Sequence, residues 1–263
     1  MREKISAFII TKNEEDKIER CLSHLTWVDE LIVLDSYSTD KTIEIAKKFT
    51  KKVFKKTFEG YGSQKQAAID KCSNAWILEV DADEIIPNLL REEIEALLHN
   101  PEQLNKNAGY TITRQEYFLK KPLMTSKIVR LYRKDAIKYY KEIHEVLNVN
   151  GSIGRLKQNM IHEADNYDTI AKRIDKINEY TKKEAEIRYK EKKWSVVTVL
   201  CAMIVVPWIY FIWMYICKHL IFKGYRGIIW SFLTSYYHFL IYAKIYEYIY
   251  KEKHSTEAQW QSQ

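Results

Sequence analysis

Three carboxylates close the segment WILEVDADE: Asp81, Asp83 and Glu84 follow an apolar run of strand length. Placing them together costs repulsion, so a compensating charge is expected. Mg²⁺ and Mn²⁺ prefer hard oxygen ligands and often bridge protein carboxylates to substrate phosphates. Residues i and i+2 of an extended segment face the same way. Asp81 and Asp83 are therefore expected to point together at one metal-bound diphosphate, the ion offsetting their repulsion and neutralising a departing diphosphate. The competing reading is a solvated acidic loop ahead of the helix that begins near Pro87.

The elements that would position these acids follow from periodicity. KISAFII (4–10), ELIVLD (30–35) and AWILEV (75–80) read as strands. Between them, Ile18, Cys21, Leu22 and Leu25 mark one helix face, with Asn13 expected as N-cap. KTIEIAKKF is a second helix, with Ser38 or Asp40 as its cap. A short strand near Val53–Phe54 and an Ala-rich helix over 63–72 follow. Strands alternating with helices indicate βαβ units and a parallel sheet, whose ligands bind beyond the carboxyl ends of the strands. TKNEE, LDSYSTD and VDADE each follow a strand, so three polar clusters converge on one sheet edge. Asp35 closes the second strand, where an acid commonly reads a nucleotide's base or ribose; a plain turn role is the alternative. Neither a Walker-type nor a dinucleotide-type glycine motif is present, which disfavours those chemistries. From 108 to 161 the pattern is strand-like and predicts a mixed or antiparallel extension of the sheet.

The rest of the 263-residue chain changes character. Residues 165–193 form a charged amphipathic helix with Ile170, Ile174 and Ile177 on one face. Trp194 to Cys217 is 24 residues without a charge, above the length that flags a membrane span. It is rich in aromatics, interrupted by Pro207, and flanked by Lys190, Lys192 and Lys193 before and Lys218 and Lys223 after. Basic residues on both sides disfavour a single crossing. A bent helical hairpin in the cytoplasmic leaflet is the favoured reading; a true span and a buried helical pair are the alternatives. Four cysteines without paired spacing read as free thiols in a reducing compartment. With no signal-peptide pattern at the N-terminus, the first domain is expected on the cytoplasmic face of the inner (plasma) membrane. The net charge of +7 suits anionic partners. Acids aligned at three strand ends do not serve nucleic acid, so none is expected as partner.

FIITKNEEDKIERCL, VDELIVLDSYSTDKT, EGYGSQKQAAI, WILEVDADE, IVRLYRKD and IHEVL occur in this order, and together they resemble the family 2 glycosyltransferases. The branch they are most similar to is the lipopolysaccharide-core β-glucosyltransferases. The resemblance spans roughly residues 4–165 and more loosely the aromatic C-terminal region. It implies a GT-A fold, an α/β nucleotide-sugar-binding domain with a mixed sheet, and inverting transfer of a sugar to a glycan or lipid-linked acceptor. It implies that Thr11, Asn13 and Glu14 line the nucleotide pocket, and that Asp35 contacts the base or ribose. Gln64 and Lys65 would approach the donor. Asp81, Ala82 and Asp83 would form the metal-diphosphate motif with Mg²⁺ or Mn²⁺, and His162 would complete the metal shell. His144 and Glu145 match a pair near the acceptor, with Glu145 the candidate base. KKPLMTSK departs from the Gly/Trp/Pro-Asp-rich stretch usual before Arg130, which leaves the acceptor open. The expected division is 1–164 catalytic, 165–193 charged helix, and 194–263 membrane-associated hairpin and tail. Two other functions compete: a nucleotidyltransferase on a similar fold, and a non-catalytic membrane-associated binding protein.

Overall fold

The structure is a computed structural model and describes residues 2–140, 146–162 and 169–261. The chain divides into two compact units, Met1–Tyr117 with Thr125–Ala164, and Phe118–Met124 with Asp165–Gln263.

The first unit is built on an eight-stranded mixed sheet. Its strands are β1 (Ile5–Thr11), β2 (Glu30–Asp35), β3 (Val53–Lys55), β4 (Trp76–Glu79), β5 (Glu84–Ile85), β6 (Gly109–Phe118), β7 (Lys121–Arg133) and β10 (Ile153–His162). β8 (Ile137–Tyr140) and β9 (Val146–Val149) pair separately. The sheet order is β3-β2-β1-β4-β7-β6-β10-β5. The first four strands are parallel, joined through α1 (Ile18–Ser23), α2 (Thr42–Phe49) and α3 (Tyr61–Lys71). β7 runs antiparallel to β4, and β10 is parallel to β6 and antiparallel to β5. This is the mixed extension that the sequence predicts.

The central strands are apolar at nearly every position because both faces are covered. Alternate residues serve two cores: Ile5, Ala7 and Ile9 of β1 enter one, Phe8 the other. In β4, Trp76 and Leu78 go with the first and Ile77 with the second. By that alternation Glu79 falls on the face of Ile77, among apolar neighbours. α4 (Asn88–Leu98) buries Leu90, Ile94 and Leu98, spaced four apart, and α5 (Pro101–Leu104) follows it.

In the second unit α6 (Ile170–Glu191) is capped by Thr169, whose hydroxyl accepts the Lys172 N–H at 3.3 Å. Its buried stripe is Ile177, Thr181 and Ala185, whereas Ile170 and Ile174 stay exposed. The expected isoleucine face is thus buried only at its C-terminal end. α7 (Val196–Ile212) starts at a Ser195 cap, continues through Pro207 and passes into a π-helical turn, Trp213–Cys217. After a tight connection, α8 (Tyr225–Gln261) packs on α7 and α6. A Cβ at Gly227 would lie 1.9 Å from the Leu220 carbonyl oxygen, so only glycine permits this close approach. Phe118 and Leu123, from the β6–β7 turn, join Met214, Leu220 and Trp230 in this unit's core. The sequence division at 164 and 165 leaves that turn out.

Candidate active site

Parallel register places Thr11 beside Asp35 at the carboxyl ends of β1 and β2. The loops beyond them are tied together. Asp35 is fully buried, and its two carboxylate oxygens accept from the Ser38 N–H, at 2.8 Å, and from the Ser38 hydroxyl. The same hydroxyl accepts the Asn13 N–H (2.8 Å), while Asn13 Oδ1 accepts the Thr39 N–H (2.8 Å). Glu14 N–H donates to Thr42 Oγ1 at 2.8 Å, with Lys17 3.7 Å from its carboxylate. Asn13 is not the N-cap of α1. It adopts φ 54°, a left-handed conformation that Asn tolerates, and α1 begins only at Ile18, without a side-chain cap. Neither Ser38 nor Asp40 is the N-cap of α2: that position is Lys41, and Asp40, one residue before it, accepts the Thr42 N–H at 3.0 Å. Gln64 is buried on α3 and donates to Ser36 Oγ at 2.6 Å. Among the described residues, Thr11 Oγ1 and Gln64 Oε1 are buried with no hydrogen-bond partner.

The Asp81–Glu84 backbone is a turn rather than an extended segment. Glu84 N–H donates to Asp81 O (2.9 Å), and Asp81 N–H donates to the Glu84 carboxylate (3.0 Å). The turn, not strand alternation, brings the aspartates together. Ala82 points inward and is buried in the core, where a larger side chain would compete for space. Asp81 and Asp83 remain partly open, with side-chain exposures of 32% and 23%.

Five carboxylates and four cationic groups interlock here. β4 and β7 pair Leu78 with Leu131, so one step along the same register Glu79 and Arg130 come abreast. Arg130 binds Glu79 and Asp81, and reaches Glu84 at 2.7 Å. Glu79 also takes Lys65 Nζ at 3.0 Å and the hydroxyls of Tyr132 (2.6 Å) and Tyr139. Arg114 spans Glu84 at 3.3 Å and Glu116 at 2.7 Å. The pairing of β10 sets His162 opposite both Glu84 and Glu116. His162 Nδ1 bonds Glu116, and its Nε2 lies 3.3 Å from Asp83.

These neighbours set the charges. Burial alone would raise the Asp81 carboxyl, but Arg130 and Lys65 hold it down at about 2. Burial likewise opposes ionisation of Asp83 and Glu116, and His162 overcomes it in both, keeping them low. Burial pushes Glu84 up despite Arg130. Burial disfavours the His162 cation, yet Asp83 and Glu116 raise it to about 10. Lys65, Arg114, Arg130 and His162 thus interlock with the acids, of which Asp81, Asp83 and Glu116 are held low by their cationic neighbours.

The donor set suits a hard divalent ion. Asp81 and Asp83 offer carboxylate oxygens, and His162 can offer Nε2 only once the proton that Asp83 and Glu116 hold on its ring is released, Glu116 then supporting the other ring nitrogen. Among the described residues no group of three His, Cys, Asp or Glu side chains is placed to hold an ion. Mg²⁺ and Mn²⁺ are commonly bound through one or two carboxylates, with substrate phosphates completing the shell.

A cavity of about 520 Å³ adjoins the cluster, lined by Lys65, Glu79, Asp81, Arg114, Arg130 and Tyr139 among others. Glu145 and His144 lie outside the described residues. Sequence reasoning missed Glu79, Arg114, Glu116 and Arg130 as parts of this cluster. The one local signal was a charge inside an apolar strand, as in WILEV and IVRLY.

The model of the family described as "Glycosyl transferase family 2" matches residues 6–155, more than half of the chain. This chain belongs to the family 2 glycosyltransferases. An uncharacterised glycosyltransferase of Rickettsia felis is 34% identical over 283 residues, covering 99% of this chain and 96% of the relative. The lipopolysaccharide core biosynthesis glycosyltransferase LpsC of Rhizobium meliloti is 28% identical over 256 residues, 92% of each chain. Among solved structures, the mannosyltransferase PcManGT of Pyrobaculum calidifontis, determined with GDP-Man and Mn²⁺, shares 12% identity at a TM-score of 0.54, over 93% of this chain and 87% of that one. That likeness concerns the fold. The glycosyltransferase has the GT-A fold, with its acid cluster at the carboxyl end of β4 and the Thr11–Asp35 pair beside it on β1 and β2.

Proposed function

We propose that this glycosyltransferase moves a hexose from a nucleotide sugar, with inversion, to a lipid-linked cell-surface glycan of the lipopolysaccharide-core type. The observation carrying this reading is the clustering of Asp81, Asp83 and His162 with Arg130 and Lys65 beyond β4. The likeness to LpsC supports the acceptor class, and the donor-bound state of PcManGT supports a nucleotide-sugar donor.

Thr11, Asn13, Glu14 and Gln64 surround the nucleotide. Asp35 belongs to the same pocket and fixes its Ser38–Asn13 loop. Asp81 and Asp83, with His162 in its neutral form, would hold Mg²⁺ or Mn²⁺, which would supply charge neutralisation for the leaving diphosphate. Lys65 and Arg130 add fixed positive charge on the same side. The acceptor hydroxyl oxygen attacks the anomeric carbon as that carbon's bond to the diphosphate oxygen breaks. Glu145 takes the hydroxyl proton.

The second unit holds the enzyme at the cytoplasmic leaflet. Val196–Cys217 is 22 residues, long and apolar enough to cross a bilayer, and only 11% of its most apolar window is buried. A core helix would bury far more. Ile204, Trp208, Ile209 and Phe222 are all exposed, and a lipid phase would cover them. Lys192 and Lys223 lie on the two sides of the run, so both ends stay on the cytoplasmic side as a hairpin.

Two measurements test the reading. Thermal shift of the detergent-solubilised chain against a panel of nucleotide sugars with Mn²⁺ should single out one donor, since a ligand binding only the native state raises its melting temperature. No stabilisation by any donor would count against it. Impermeant thiol labelling in intact cells, at cysteines engineered near Lys192 and Lys223 after Cys201 and Cys217 are replaced, should leave both protected. Labelling of one position alone would show a true crossing.

A further inference from the structure

The placement of Glu79 is costly and calls for a reason. It stands in the middle of the sheet at 2% exposure, on the strand face otherwise given to Ile77. An apolar residue there would satisfy the core without any partner, whereas a buried carboxylate must be paired on every side. Glu79 is so paired: Lys65 from α3, Arg130 and Tyr132 from β7, and Tyr139 from β8 all converge on its two oxygens. Oε1 takes the two cations and Oε2 the two hydroxyls. Lys65 and Arg130 both line the 520 Å³ cavity beside Asp81, so the cluster is a wall of the site and not an interior plug. Arg130 spans Glu79 and Asp81 with separate nitrogens, which ties the buried acid to the first aspartate of the turn.

We infer that Glu79 is a positioning residue: it fixes Lys65 and Arg130 where they grip the diphosphate of the donor. The inference rests on the nucleotide-sugar reading above. A lysine with four rotatable carbons and an arginine fork lose much freedom when they bind an anion. Glu79, itself held by two tyrosine hydroxyls, removes that freedom beforehand. The tyrosines thus act one step further back, by locking the carboxylate.

Inorganic pyrophosphate is the probe, because every nucleotide-sugar donor of this kind presents a diphosphate whatever its base and sugar. Titration calorimetry of the full chain in detergent measures Mn²⁺ alone and pyrophosphate in the presence of Mn²⁺. Glu79→Gln should weaken pyrophosphate binding by roughly tenfold or more, the effect of losing one charge-assisted hydrogen bond, with Mn²⁺ binding alone changed less than about twofold because Asp81, Asp83 and His162 stay in place. Lys65→Met should reproduce the loss. Equal loss of Mn²⁺ and pyrophosphate binding would mean that Glu79 merely supports the fold, and overturns the inference, as does no loss of either. If Glu79→Gln does not fold, Tyr139→Phe keeps every charge and should still weaken pyrophosphate by about threefold with Mn²⁺ binding intact; an unchanged affinity overturns the inference equally. Failure of the unaltered protein to bind pyrophosphate with Mn²⁺ overturns the nucleotide-sugar reading, and the inference with it.

Discussion

Arg130→Met should destabilise the protein markedly even without substrate or metal. Arg130 is 5% exposed and meets three carboxylates, two of which, Glu79 and Glu84, are fully buried. Removing one partner of a buried ion pair costs about 3–5 kcal/mol, because the other charge is left uncompensated. Here the loss is softened. Glu84 keeps Arg114 at 3.3 Å and the Asp81 N–H at 3.0 Å, and Glu79 keeps Lys65 and two hydroxyls. The expected loss is therefore at the low end, about 3 kcal/mol, which lowers Tm by about 6–12 °C in a unit of this size. Adding Glu84→Gln removes one stranded charge and should recover about 1–2 kcal/mol. Thermal and urea unfolding in EDTA, followed by tryptophan fluorescence, measure both. A loss below about 1 kcal/mol, or a double variant less stable than the single one, would refute the picture of Arg130 as the charge that makes the buried acids tolerable.

Three further expectations follow from the site and the helical unit. Glu145→Gln should lower turnover by roughly 10²–10⁴-fold with donor affinity nearly unchanged; loss of donor binding instead would place Glu145 at the nucleotide, and unchanged turnover would rule it out as the base. Glu116→Gln, which leaves His162 without its supporting carboxylate, should weaken Mn²⁺ binding by about 10–100-fold, read by electron paramagnetic resonance of free Mn²⁺; an unchanged affinity would remove His162 from the metal shell. Gly227→Ala drives a methyl group into the Leu220 carbonyl, so it should open the connection into α8 and expose it to limited proteolysis, with the Met1–Tyr117 segment remaining resistant.

Much of the catalytic half was legible because its signals are local. The apolar runs of β1, β2 and β4, each followed by a polar cluster, gave the parallel βαβ order and the edge where the acids gather. What eluded the sequence depends on pairings between distant strands. Arg130 meets Glu79 only because β7 runs antiparallel to β4, and His162 meets Glu116 only because β10 enters beside β6. Neither pairing has a local signature. The extended geometry assumed for Asp81–Asp83 failed because a turn can also bring i and i+2 to one side. The expected cap at Asn13 failed for a related reason: a left-handed Asn served the loop between β1 and α1 better than the helix. In the helical unit, the uncharged run announced an exposed apolar helix, but nothing nearby showed that residues 118–124 pack with it.

The central claim is metal-assisted transfer from a nucleotide sugar at the carboxyl end of β4. Its most direct test is release of nucleoside diphosphate from the donor chosen by thermal shift, measured with the full chain in lipid nanodiscs, with Mn²⁺ or with EDTA, for the unaltered protein and for Asp83→Asn. The account predicts release that requires the metal and is abolished in Asp83→Asn, while the melting temperature of that variant in EDTA stays within a few degrees, since Asp83 is partly exposed and its one ion-pair partner among the described residues, His162, keeps Glu116. Release that persists in EDTA, or that survives in Asp83→Asn, would contradict it.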